Sequence, residues 1–132
     1  MKNNKDQTAA MLMNGYVVEN YKGGSVSCEG EFVNGEKSGE WKYHYVSGGL
    51  KAIGLFKNGK MSGEWKWYRE SGKLMQTGSF DEDEQKTGMW TRYQENGEKY
   101  DEGQFAGGKK SGEWRLFDES GKLKKTSMHK TT

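Results

Sequence analysis

Gly54-Leu55-Phe56-Lys57-Asn58-Gly59-Lys60-Met61-Ser62-Gly63-Glu64-Trp65 is the stretch on which the reading of the whole chain turns. A near copy runs from Gly30 through Phe32, Asn34-Gly35 and Gly39 to Trp41, and further copies run from Gly78 to Trp90 and from Gly103 to Trp114. The four tryptophans are separated by 24, 25 and 24 residues. A fixed period of that size marks stacked structural repeats, each too small to bury its own apolar face. The extra residue falls in the third copy, where Asp81-Glu82-Asp83-Glu84 replaces Asn-Gly. A degenerate half-unit comes first, with Gly15, Val17, Tyr21 and Gly24 standing 24 residues ahead of Gly39, Trp41, Tyr45 and Gly48.

Each unit reads as two short strands. Charged and aromatic residues alternate around Gly63-Glu64-Trp65-Lys66-Trp67-Tyr68, the period of two of a strand with one buried face, and Trp, Tyr and Phe favour strands. Asn34-Gly35 and Asn58-Gly59 predict two-residue hairpin turns, because both central positions need positive φ. Glu70-Ser71-Gly72, Asn96-Gly97 and Ser120-Gly121 predict three-residue turns at the other junction. The expected architecture is all-β, an elongated single-layer antiparallel meander of ~24-residue hairpin repeats. On this count Gly54 faces Gly63 and Phe56 faces Met61, and the aromatic rings lie over flanking glycines on one face. The expected core is Trp41, Trp65, Trp90 and Trp114, with Phe32, Phe56, Phe80 and Phe105 and with Gly39, Gly63, Gly88 and Gly112. A bulge at Gly72 would shift the register, so counting does not fix where Tyr68 and Leu74 point.

The composition demands such regularity. Of 132 residues only 31% are hydrophobic, and Leu, Ile, Val and Phe make up roughly an eighth of the chain, which by itself leans towards disorder. Five Trp, seven Tyr and five Phe with a net charge of +2 argue the other way. The expected division is a lead and cap over 1–14, a repeat domain over 15–126, and a tail over 127–132. Within the domain the half-unit is 15–29 and the full units are 30–53, 54–77, 78–102 and 103–126.

Catalytic chemistry is hard to assemble from these residues. Beyond Cys28, the chain holds only His44 and His129, and it has no phosphate-binding loop, kinase signature or nucleophile elbow. No enzyme, cofactor or metal role is expected, the histidines and cysteine being too scattered for a ligand set. A near-neutral balance argues against nucleic acid as partner. With one cysteine and no long apolar run, the expected setting is the cytoplasm.

The pattern Gly-x-Phe-x-Asn-Gly-x-x-x-Gly-x-Trp-x-x-Tyr, followed by x-x-x-Gly-x-Leu, resembles the MORN repeat (membrane occupation and recognition nexus), and most closely its bacterial variant with Gly-Glu-Trp at the centre. The resemblance covers Gly30 to about Lys125, with the half-unit from Gly15 added, and so most of the chain. It implies an aromatic-lined groove used for binding or scaffolding rather than catalysis. Many bacterial relatives are described as antitoxin or immunity components that neutralise a toxin by contact, and eukaryotic relatives are linked to membranes. The expected function is accordingly a protein-protein interaction module of the antitoxin or immunity kind, with a scaffold on anionic lipid as the alternative.

Three features could carry that function. Aromatics on the second face, taken as Tyr43, Tyr68, Tyr93 and Phe117, would make an exposed partner patch. The acidic run Asp81, Glu82, Asp83 and Glu84 is either a solvated hairpin tip or a second contact. Charge is segregated, with net −5 over 78–102 and +4 over 103–132, so a basic partner, an anionic membrane met by Lys122, Lys124 and Lys125, or edge-to-edge self-association could each use it.

Overall fold

A computed structural model describes residues 13–130. They form one ten-stranded antiparallel sheet in simple chain order, the meander that the repeat requires. The strands are β1 (Gly15–Asn20), β2 (Val26–Val33), β3 (Glu36–His44), β4 (Leu50–Lys57), β5 (Lys60–Tyr68), β6 (Leu74–Phe80), β7 (Lys86–Tyr93), β8 (Lys99–Ala106), β9 (Lys109–Phe117) and β10 (Leu123–His129). Residues 1–12, expected as lead and cap, lie outside the described residues, whereas Met13 and Asn14 already tie to the first full unit. Met13 O accepts from Gly35 N and Asn14 Oδ1 accepts from Asn34 N.

The core is a line of indole rings. Trp41 and Trp65 are fully buried, with Trp90 and Trp114 nearly so. Each ring lies flat on a glycine of the preceding strand: at Gly30, Gly54, Gly78 or Gly103 an added Cβ would fall inside the ring of Trp41, Trp65, Trp90 or Trp114. The missing side chain is what lets a single-layer sheet bury an indole at all. Each of these four indole N–H groups also has a partner, donating to the carbonyl of Glu31, Leu55, Ser79 or Gln104 at 3.0–3.1 Å. The apolar gain of burial, ~1.5 to 3 kcal/mol for a large side chain, therefore comes without an orphaned donor.

The register shifts at two places in each full unit: at the far junction Trp67 faces Gln76 but Tyr68 faces Leu74, so Met75 is bulged out, and the other shift lies beside the indole. Phe56 does face Met61, but Gly54 faces Trp65 rather than Gly63, and Leu55 faces Ser62. Gly63, with φ +64°, begins a bulge that inserts Gly63-Glu64 between those pairs. The two glycine columns thus have different work. The Gly54 column makes room for rings, while the Gly39, Gly63, Gly88 and Gly112 column bends the strand two residues ahead of each Trp.

The turns follow the sequence closely. Asn58 and Gly59 both have positive φ, at 52° and 79°. In the third unit Glu82-Asp83-Glu84 makes a three-residue turn, closed by Asp81 N to Gln85 O, and Glu84 takes the left-handed conformation at φ 62°. That substitution accounts for the 25-residue spacing.

A side-chain ladder joins the units at the opposite end of the hairpins. The Tyr21 hydroxyl donates to His44 O, the Tyr45 hydroxyl to Tyr68 O, Arg69 to Tyr93 O and Gln94 to Asp118 O. The donor changes chemically from unit to unit, yet each reaches 23 or 24 residues ahead to the next turn's backbone.

Candidate functional site

Bulge and pleat together put the large aromatics on one face. Phe32, Phe56, Phe80 and Phe105 stand edge-on to the indoles at 5.2–6.1 Å between centroids. Trp67 bridges two units, 6.1 Å from Trp65 and 5.5 Å from Trp90. The result is a continuous path of rings from Phe32 to Trp114, ending against His129. Edge-to-face geometry is the favoured arrangement for such pairs.

Lysines border this path. Lys37 Nζ lies 4.8 Å from the Trp41 ring centre, Lys86 Nζ 4.7 Å from Trp90 and Lys110 Nζ 4.5 Å from Trp114. These are cation–π contacts, worth about 0.5–1 kcal/mol where solvent reaches the ammonium. The second unit carries Met61 at the equivalent position.

Beside the indoles runs a row of direct cross-strand neighbours: Glu19, Cys28, Tyr43, Ala52, Trp67, Gln76, Arg92, Asp101, Leu116 and Lys125. Its first half is apolar around Ala52, and its second half is charged. Arg92 holds Asp101 through two hydrogen bonds of 2.9 and 2.7 Å, and the carboxylate raises the already high pKa of that guanidinium. An apolar cleft of about 300 Å³ opens over Ala52, between Tyr43, Phe56, Met61, Trp65 and Trp67. A more polar one of about 260 Å³ lies over Arg92 and Asp101.

The opposite face is largely polar. Its row reads Val18, Glu29, Lys42, Ile53, Lys66, Thr77, Thr91, Glu102, Arg115 and Thr126. Glu29 accepts from the Tyr16 hydroxyl and meets His44 Nε2 at 2.9 Å, and the Tyr16 bond foremost holds its carboxyl below the usual range. Cys28, adjacent in the strand, points the other way, so it does not join His44 and Glu29 in a nucleophile-base pair. Burial raises the Cys28 thiol pKa, the opposite of an activated thiolate. Among the described residues no three His, Cys, Asp or Glu side chains gather as metal ligands.

The four aromatics expected on the second face do not share a face. Tyr43 belongs to the indole side, 6.5 Å from Trp41 and 6.2 Å from Trp65, and its hydroxyl accepts from Lys37 Nζ. The column containing Tyr68, Tyr93 and Phe117 has His44 as its first-unit member, and these four are half-buried rather than an exposed patch. The acidic run is more than a solvated tip. Asp81 caps its own turn by accepting from Asp83 N and Gln85 N, and Glu84 Oε2 accepts from Met61 N of the preceding hairpin. Glu82 and Asp83 remain exposed.

Sequence reasoning missed Lys37, Lys86 and Lys110, the Arg92–Asp101 pair and Ala52. Aligning the units would have exposed the first group, four residues before each tryptophan. The partnership of Arg92 with Asp101 depends on the bulged register and has no signature in the repeat.

Comparison with known proteins bears on the repeat. The family described as the MORN repeat variant matches residues 61–82 and 110–130, roughly a third of the chain. That family is a non-enzymatic repeat module. No curated protein matches the sequence. Solved structures with some likeness include a point mutant of S. aureus TarM in complex with fondaparinux, alpha-GlcNAc-glycerol and UDP, at 15% identity and a TM-score of 0.49. A second is a crystal structure of TarM, at 16% identity and a TM-score of 0.47. In both cases 87% of this chain is covered but only 22% of the other, so the chain spans about a fifth of their length.

Proposed function

We propose that this chain is a binding module that engages a protein partner through its indole face. The observation that carries the reading is the unbroken path of rings from Phe32 to Trp114, bordered by lysines, on a sheet whose described residues form one layer. Aromatic and cationic groups held rigidly together are the chemistry that hot spots favour. The finer role is that of an antitoxin or immunity protein acting by contact in the cytoplasm. Its support is the likeness to bacterial MORN variants together with a surface that offers aromatic and cationic recognition chemistry. The test is co-purification with a stoichiometric partner, followed by the same experiment with Trp67→Ala after its fold has been verified. Loss of the partner supports the indole face, and suppression of a toxic activity of that partner by the wild-type protein supports the immunity role. A partner retained by Trp67→Ala contradicts the face, and a harmless partner contradicts the immunity role.

A second reading, a scaffold on anionic lipid, is favoured by Lys122, Lys124, Lys125 and Lys130, all exposed at or beside the β10 edge. Co-sedimentation with phosphatidylserine vesicles at low salt, lost at high salt, supports it. Absence of binding at low salt removes it.

A further inference from the structure

The apolar cleft over Ala52 has dimensions and charges that select an occupant. Ala52 on β4 is flanked directly by Tyr43 on β3 and Trp67 on β5. Strands two apart in a sheet are separated by about 10 Å, and the Trp65 ring backs the gap at 6.2 Å from Tyr43 and 6.1 Å from Trp67, so a planar ring entering beside it would lie about 5 Å from each wall, within the range for aromatic pairs. The methyl side chain, itself buried at 6% exposure, makes a low floor, and the cleft volume of about 300 Å³ suits one aromatic side chain. At the next place along the row Gln76 fills the floor, and after it Arg92 and Asp101 close on each other.

Charge completes the selection. Lys51 lines the cleft and Lys37 Nζ lies over the Tyr43 and Phe56 rings at 5.3 and 5.1 Å, while no Asp or Glu lines it. Among the described residues neither lysine is ion-paired. We infer that this cleft is an anchor site for an aromatic side chain flanked by a carboxylate, in an acidic segment of a protein partner. The inference deepens the binding-module reading and rests on it. Aromatic stacking supplies the hold, and the two ammonium groups favour an anionic neighbour over a cationic one.

The test uses two small probes sharing one ring, indole-3-propionate and tryptamine, titrated into the full chain while the indole N–H resonances are followed by NMR. The expected result is shifts concentrated at Trp65 and Trp67, with Trp114 unmoved, and an affinity for indole-3-propionate at least tenfold above that for tryptamine. Ala52→Leu, which fills the floor, should abolish the shifts while the other indole resonances keep their dispersion. Lys51→Glu, at an exposed position, should narrow or reverse the preference and serves if Ala52→Leu does not fold. No shift in the wild type, equal binding of the two probes, or binding unchanged by these variants overturns the anchor site. Partner capture lost in Trp67→Ala would still stand in that event, so the failure of the site is separable from failure of the indole face.

Discussion

The first two units and the last two have the same skeleton and different linings. In both halves an indole lies on a glycine, a phenylalanine stands edge-on to it and a bulge precedes it. Beside that skeleton the first half places Tyr43, Ala52 and Trp67, an aromatic cleft with a small floor, whereas the second places Arg92 clasping Asp101. The lesson is a division of labour. Glycine, tryptophan and phenylalanine recur because the sheet cannot bury its rings without them, and the position two residues after each tryptophan is free to vary, so that is where recognition can be written.

The largest effect expected from breaking this comparison is at the indoles. Trp65→Ala should cost about 3–5 kcal/mol in urea unfolding, as for other buried tryptophans. Trp114→Ala, next to the open β10 end and 7% exposed, should cost less. Equal losses would mean that the ends of the sheet are as tightly held as its middle.

Next comes the lining. Arg92→Met should cost about 1–3 kcal/mol, because it leaves Asp101, whose side chain is 11% exposed, without its partner. The double variant Arg92→Met/Asp101→Ala should recover most of that loss, since it converts the charged lining towards the apolar one of the first half. A double variant worse than the sum of its singles would show the pair to be part of the skeleton. Lys86→Met copies the Met61 arrangement into the third unit and should change stability by no more than about 1 kcal/mol.

The smallest effect is on pH. Glu29 in the first half is held below its ordinary range mainly by the Tyr16 hydroxyl and then by His44, and Asp118 in the last half mainly by the Ser120 hydroxyl and then by Lys122 N. A depressed carboxyl contributes stability that is fully present above its unfolded pKa and is lost as pH falls through its folded one. Unfolding free energy should therefore decline below about pH 4.5, and Glu29→Gln or Asp118→Asn should each flatten that decline. A decline of the same slope in both variants would place its origin elsewhere.

Much of this was legible in the chain because repetition multiplies weak local signals. Gly59 and Gly72 each announce a turn, and the period joins those turns into a meander. The bulge at Gly63 was not legible: a glycine that bends a strand and a glycine that lies under a ring look the same in one dimension, so Gly63 was placed opposite Gly54. That two-residue shift also decides which side chains meet. Tyr43 is expected on the second face together with Tyr68, although unit alignment pairs it with Trp67. The pairing of Arg92 with Asp101 and the small floor at Ala52 are properties of register, which the repeat pattern does not carry.

The central claim is that the glycine beneath each indole makes this fold possible. The direct measurement is urea unfolding of Gly78→Ala and Gly88→Ala, two glycines of the same unit. An added methyl at Gly78 meets the Trp90 ring, while at Gly88 it meets open space and only the strain of φ +71°. The account predicts loss of the cooperative transition, or a cost well above 3 kcal/mol, for Gly78→Ala and about 1–2 kcal/mol for Gly88→Ala. Equal costs, or a milder effect at Gly78, would contradict it.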